Sequence, residues 1–246
     1  MNKLRAGCRI RGAGFGARRN PLYALTSRIL PLASRILNLE SSLLPASLIL
    51  ALFSSPAHAG AQVQSPLSAS VRAVLQRSVS DQAAPKLAFA TQYEADVWLS
   101  KMSPRLLKRF PYEPDRLDFL KTVHYEATRA GLDAELVLGL IEVESGFKKY
   151  AVSSVGARGY MQVMPFWTKE IGTDEQNLFH IRINLRYGCT ILRHYLNIEH
   201  GDLFRALGRY NGSLGRAEYP NLVRAAWHNH WATQPRNSTK YIANAN

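Results

Sequence analysis

Leu136-Val-Leu-Gly-Leu-Ile-Glu142-Val-Glu144-Ser145-Gly146-Phe147 is the stretch on which the reading of this chain turns. A segment with apolar residues at nearly every helical position belongs in the middle of a protein. Asp133 stands where an N-cap is expected, opening a helix over Ala134 to Ser145, and Gly146 supplies the exit. Two carboxylates inside such a helix need an explanation. At about 100° per residue, positions two apart point about 160° away from each other, so Glu142 and Glu144 cannot share a face. Glu144 falls in the last turn, where the negative end of the helix dipole disfavours a carboxylate, and a partly apolar pocket would add to that effect. Both influences raise its pKa, as a general acid working near neutral pH requires. An ion pair with an arginine at a helix end fits the same residue.

Outward from this helix the period stays near 3.6. Pro114 opens a segment in which Leu117, Phe119, Leu120, Val123, Ala127 and Ala130 recur helically before Gly131. Further helices are expected from about Tyr160 to Ile171 with a bend near Pro165, from about Ile183 to Glu199, from Leu203 to Tyr210 behind an Asp202 cap, and from Tyr219 to Trp231. Asn211 to Gly215 reads as a loop. No run of alternating strand residues exceeds four, so the expected class is all-α, with six to eight helices.

The 246 residues carry 31 Lys plus Arg against 18 Asp plus Glu, with 46% hydrophobic composition, which excludes a disordered or collagenous chain. Two cysteines exclude a disulfide-stapled scaffold: Cys8 lies in the leader and Cys189 inside an apolar helical pattern, where a buried inert thiol is expected. Residues 1–59 hold eight of the basic residues and one acidic one. Their basic start, the apolar run Leu43 to Phe53 and the ending Ala57-His58-Ala59 are the parts of a secretory signal. The expected organisation is a leader over 1–59, cleaved after Ala59 for export to the periplasm, a linker over 60–86 with one short helix near Val71 to Val79, and one domain over 87–246. An uncleaved leader acting as a tether is the alternative, and would be the only attachment to a membrane.

Beyond the central helix comes Ala151-Val-Ser153-Ser154-Val-Gly156-Ala157-Arg158-Gly159-Tyr160-Met161-Gln162-Val163-Met164-Pro165. Its glycines let backbone approach something bulky, and Gln162 both donates and accepts hydrogen bonds. Taken alone, the stretch also fits a loop followed by a Met-lined core helix.

Together these pieces resemble the soluble lytic transglycosylases of bacterial cell walls, whose catalytic domain is related to goose-type lysozyme. That family has a Glu-Ser-x-Phe block, matched by Glu144-Ser145-Gly146-Phe147, and a Gly-Ala-x-Gly-Leu-Met-Gln-x-Met-Pro block, matched by Gly156 to Pro165 with Tyr160 in place of Leu. The Ser that precedes this block in the family stands as Ser154, one place nearer the Gly-Ala pair, with Ser153 beside it; an Asn with a Gly four residues on stands as Asn184 and Gly188, and a Tyr-Asn-x-Gly type loop as Tyr210-Asn211-Gly212-Ser213, with Gly212-Ser213 where Ala-Gly is usual. The motif core covers about residues 115 to 215.

The resemblance implies a lysozyme-like helical domain with a cleft and Glu144 as a single acid/base. That Glu would protonate the glycosidic oxygen between N-acetylmuramic acid and N-acetylglucosamine, then take the proton of the muramoyl 6-hydroxyl as it closes on C1 to a 1,6-anhydro sugar. Glycosidases that use water or a covalent intermediate need two carboxylates, and an internal hydroxyl removes that need. By the same resemblance Ser145, Met161, Gln162, Tyr210 and Asn211 surround the reacting sugar, with Tyr210 as the hydrogen-bond partner of Glu144. Asn184 and Gly188 are structural, starting the long helix and letting another helix pack closely. Tyr219, Trp227 and Trp231 lie beyond the resemblance and are expected in the core.

No cofactor is implied, and no His-Glu-x-x-His or Cys/His cluster suggests a metal. Basic residues including Arg158, Arg182, Arg186, Arg193, Arg205, Arg209, Arg216 and Arg224 suit an anionic polymer, peptidoglycan rather than nucleic acid in an exported monomer. A lysozyme-like hydrolase and a non-catalytic wall-binding protein are the competing readings.

Overall fold

A computed structural model describes residues 62–80, 87–173 and 175–233. The apolar helix is at its centre: α4 spans Ala134–Ser145, and Leu136, Val137, Leu138, Leu140 and Ile141 are all 0% exposed. Burying each such side chain contributes about 1.5–3 kcal/mol, so α4 anchors the core. Its ends follow the sequence: the Asp133 carboxylate accepts from the Glu135 and Leu136 amides, and Gly146 closes the helix at φ 55°.

Around it stand α1 (Ala69–Val79), α2 (Gln92–Met102) with a 3₁₀ turn over Ser103–Leu106, α3 (Glu113–Arg129), α5 (Phe166–Ile171), α6 (Ile181–Ile198), α7 (Leu203–Asn211) and α8 (Glu218–Ala226), which runs on into a π-helical turn over Trp227–Trp231. The architecture is all-α. Its extended pairing among the described residues is confined to two isolated bridges, Val152 to Arg158 and Arg158 to Val163.

Three expectations change. The helix expected from Tyr160 begins only at Phe166, because residues 159–165 form turns in which Gly159 and Gln162 adopt positive φ. The stretch expected as a linker contributes α1 to the same core: Leu75 and Val79 are buried, and Arg72 pairs with Glu170 of α5 at 3.1 Å. The Gln62 amide oxygen also accepts from the Trp167 indole at 2.9 Å. The last helical pattern splits, since regular α8 stops at Ala226 and a wider turn follows. The leader over 1–59, the segment 81–86 and the tail 234–246 lie outside the described residues.

A buried charge cluster joins α3 to α6. Glu126, 0% exposed, lies 3.0 Å from Arg129, 3.0 Å from Arg186 and 3.8 Å from Arg182. Arg129 also donates to the Ser78 carbonyl at 2.6 Å, extending the cluster to the end of α1. A buried carboxylate is tolerated only with such partners, so these arginines serve the fold.

His124, on α3, is stacked on Phe89 at 4.3 Å and meets Trp98 edge-on at 5.1 Å. Burial lowers its pKa from 6.5 to about 4, with Asp133 opposing. The unfolded chain therefore takes the proton first. The stabilising difference is complete above pH 6.5 and is lost as pH falls from 6.5 to about 4. Thermal melts across this window should show a falling midpoint, and His124→Phe, which keeps the stack, should flatten the fall to the share left by His194, whose pKa burial also lowers.

Candidate active site

Glu144 and Ser145 close α4 at 7% and 9% exposure. The Ser145 hydroxyl donates to the Tyr160 carbonyl at 2.8 Å and the Ile141 carbonyl at 3.2 Å, which ties the helix end to the loop that follows. That loop doubles back over residues 151–163. Arg158 and Val163 exchange backbone hydrogen bonds at 3.0 Å, and the Gly159 amide donates to the Ala151 carbonyl at 2.9 Å. Gln162 sits inside it at φ 47° and 2% exposure, its amide nitrogen donating to the carbonyls of Gly159 at 3.0 Å and Ala151 at 3.2 Å. A glutamine held in the left-handed region is strained, and its hydrogen bonds offset that strain.

Asn184 holds the loop from beneath. It lies inside α6, one turn past the helix start, and is 0% exposed. Its oxygen accepts from the Met161 amide at 2.8 Å, and its nitrogen donates to the Arg158 and Leu178 carbonyls, both at 2.8 Å. Gly159, at φ 74°, admits this arrangement, since a Cβ there would lie 2.5 Å from the Asn184 nitrogen. Gly188 makes room for a side chain and not for a helix: a Cβ would stand 2.4 Å from the Met161 sulfur. Met161 is 0% exposed as a result.

Of the two buried tyrosines near Glu144, it is the Tyr219 hydroxyl that donates to the carboxylate. Tyr210 spends its hydroxyl on the Met161 carbonyl at 2.7 Å, whereas the Tyr219 hydroxyl donates to the Glu144 carboxylate. Both phenols are fully buried, and burial followed by the Glu144 charge raises both well above the usual value of 10.0. Tyr219 therefore keeps the proton it donates at neutral pH. Sequence reasoning placed it in the core, where it is, at 1% exposure. Its spacing of four from Val223 marks a core-facing helix, but nothing in the pattern marks α4 as the neighbour.

The other carboxylates of α4 are also engaged by the C-terminal stretch. Glu142 accepts from the Trp231 indole at 2.6 Å and lies 2.8 Å from His230 Nδ1. Glu135 accepts from the Thr233 hydroxyl at 2.8 Å and amide at 3.1 Å. Asn211 ends α7, half-buried, in the turn closed by Gly212 at φ 76°.

Five of the arginines expected to face a polymer are spent on the fold. Arg182 and Arg186 join Glu126, Arg205 and Arg209 bind Glu199, and Arg193 donates to the Ala130 and Gly131 carbonyls. A cavity of about 510 Å³ opens between α1 and α6, bordered by Val71, Leu75, Arg193 and Ile198. No residue of α4 lines it, so the site is located by the carboxylate and not by empty volume.

Residues 121–224 match the family described as the transglycosylase SLT domain. Among curated proteins it is 32% identical over 103 residues to the "Transglycosylase" of Enterobacteria phage PRD1, across 42% of this chain and 38% of that protein. It is 49% identical over 47 residues to "Membrane-bound lytic murein transglycosylase C" of Glaesserella parasuis serovar 5 (strain SH0165), and 43% over 47 residues to the protein of that name from Haemophilus influenzae (strain PittEE). These last matches span 19% of this chain and 13% of each relative, so the chain covers well under half of the proteins it resembles.

Asn184→Leu keeps the number of side-chain heavy atoms but leaves the Met161 amide and the Leu178 carbonyl without their partner, while the Arg158 carbonyl keeps the Val163 amide. Each buried orphan costs about 1–3 kcal/mol, so the denaturation midpoint should fall by the equivalent of at least about 2 kcal/mol.

Proposed function

We propose that the protein is a lytic transglycosylase of peptidoglycan, with Glu144 as its single acid/base. The observation that carries this reading is a buried carboxylate at the end of an apolar helix, bound by the Tyr219 hydroxyl, within a segment that matches the SLT domain. Glu144 protonates the oxygen between N-acetylmuramic acid and N-acetylglucosamine. As the bond opens, it takes the proton of the muramoyl 6-hydroxyl, which attacks C1 and yields the 1,6-anhydro end. The engagement of Glu142 by Trp231 and His230, and of Glu135 by Thr233, supports a mechanism with one carboxylate. A bound internal hydroxyl supplies through effective molarity what a second carboxylate would supply by positioning water.

Ser145, Met161, Gln162, Tyr210 and Asn211 are proposed around the reacting sugar. Buried as they are, Met161, Gln162 and Tyr210 shape that wall by fixing the 158–163 loop. Tyr219 is a positioning residue, holding one carboxylate oxygen so that the carboxyl group presents a fixed edge to the substrate. Export through the basic leader and work in the cell envelope belong to the same proposal.

Mass spectrometry of soluble products from purified sacculi tests it. The wild-type protein should release 1,6-anhydromuropeptides and Glu144→Gln should release none. Products heavier by one water would place the protein among hydrolases. Tyr219→Phe should lower kcat roughly ten-fold or more with KM within about two-fold, as loss of a hydrogen bond to a charged group predicts.

A further inference from the structure

Several basic residues are held by the fold, and others form no ion pair with any described residue, among them Arg77, Lys101, Lys121, Lys169, Arg216 and Arg224, which lie on other elements. Those of α6 and α7 named above are consumed by Glu126, Glu199 and backbone carbonyls. Arg109, Lys148, Lys149 and Arg158 form no ion pair with any described residue. All four are exposed. The Arg109 guanidinium lies 3.9 Å from where a Cβ of Gly146 would stand, which puts it against the cap of α4. Lys148 and Lys149 follow that cap directly. Lys149 lies over the Tyr150 ring at 5.2 Å, Tyr150 meets Phe179 at 5.8 Å, and Arg158 lies 6.0 Å from the Phe179 ring. Tyr150 is 71% exposed, which leaves a face of its ring open beside these cations.

We infer that this ridge of cations around the Tyr150 and Phe179 rings is a subsite for the acidic peptide stems of peptidoglycan, with the carboxylates on the cations and a sugar or stem face on Tyr150. The inference rests on the reading of the protein as a peptidoglycan enzyme. Its geometry favours it. The ridge is built on the loop that leaves Glu144 and returns through Gln162, so a strand held at the carboxylate passes beside it. Asp115, in the first turn of α3, is close enough to Tyr160 to raise its pKa, and among the described residues no carboxylate pairs with these four cations. Exposed cations act at short range and are screened by salt, so the ridge selects among strands already in the cleft.

The test compares sacculi that keep their stems with the same glycan strands stripped of stems by an amidase, using the full chain and Lys148→Gln/Lys149→Gln/Arg158→Gln. The expected result on stem-bearing strands is a KM raised on the order of ten-fold with kcat within two-fold, and no change on stripped strands. Tyr150→Ala should raise KM alone. In wild type, KM on stem-bearing strands should climb with added salt, and in the triple variant that dependence should flatten. Equal losses on both substrates, or no loss on either, overturn the inference while the activity stands. If wild-type protein releases no anhydro products, the enzymatic reading fails, and co-sedimentation with the two glycans then decides for the ridge: stem-dependent pelleting lost in the triple variant supports it, and its absence overturns it.

Discussion

The structure depends on how a helix apolar enough to be the core keeps carboxylates inside it. A carboxylate taken from water without partners costs several kcal/mol even after relaxation, a large part of what one helix of leucines returns. Here the C-terminal stretch meets the need: Tyr219 binds Glu144, Trp231 and His230 bind Glu142, and Thr233 binds Glu135. Gly139 permits the approach, since a Cβ there would lie 2.8 Å from the Trp227 amide nitrogen. Donors from a distant part of the chain thus fix both the core and the orientation of the one carboxylate to which chemistry is assigned. The residues that do this for Glu142 and Glu135 lie past residue 224, where the family match ends.

Local signals were read well wherever one residue type decides a backbone state. Asp133, Gly146 and Asp202 behave as caps where their positions indicated, because a capping side chain needs only its own turn. The apolar period likewise placed α3, α4, α6 and α7 within about two residues. The stretch 159–165 misled because its Met, Val and Pro content suits a helix, while Gly159 and Gln162 take positive φ under the hold of Asn184, a residue more than twenty positions away. Short polar α1 looked like part of a linker because its buried face is narrow, only Leu75 and Val79 being enclosed.

Pairings across the chain were the part not legible in sequence. Tyr210 and Tyr219 are both buried phenols within range of the same charge, and only the arrangement of α7 and α8 against α4 decides which one donates. The arginines pose the same problem. Composition counts charges but not partners, and Glu126 and Glu199 absorb cations that a tally assigns to the surface. Arg109, Lys148, Lys149 and Arg158 form no ion pair among the described residues, but neither do Lys101, Lys121, Lys169 and Arg224 on other elements, so the cations beside the loop that leaves α4 are one part of the net charge.

The turn from Trp227 to Trp231 carries one residue more than a regular helical turn would. Such an extra residue rotates everything after it by about 100° relative to an uninterrupted α-helix. It is this twist that swings the Trp231 indole onto Glu142 while its carbonyl, with that of His230, turns out to Arg105 at 2.7 and 2.8 Å. The final turn is thus phased by its length: a chain one residue shorter there would present a different side chain to α4, so length at this one position, as much as residue identity, governs whether the closing segment engages the helix.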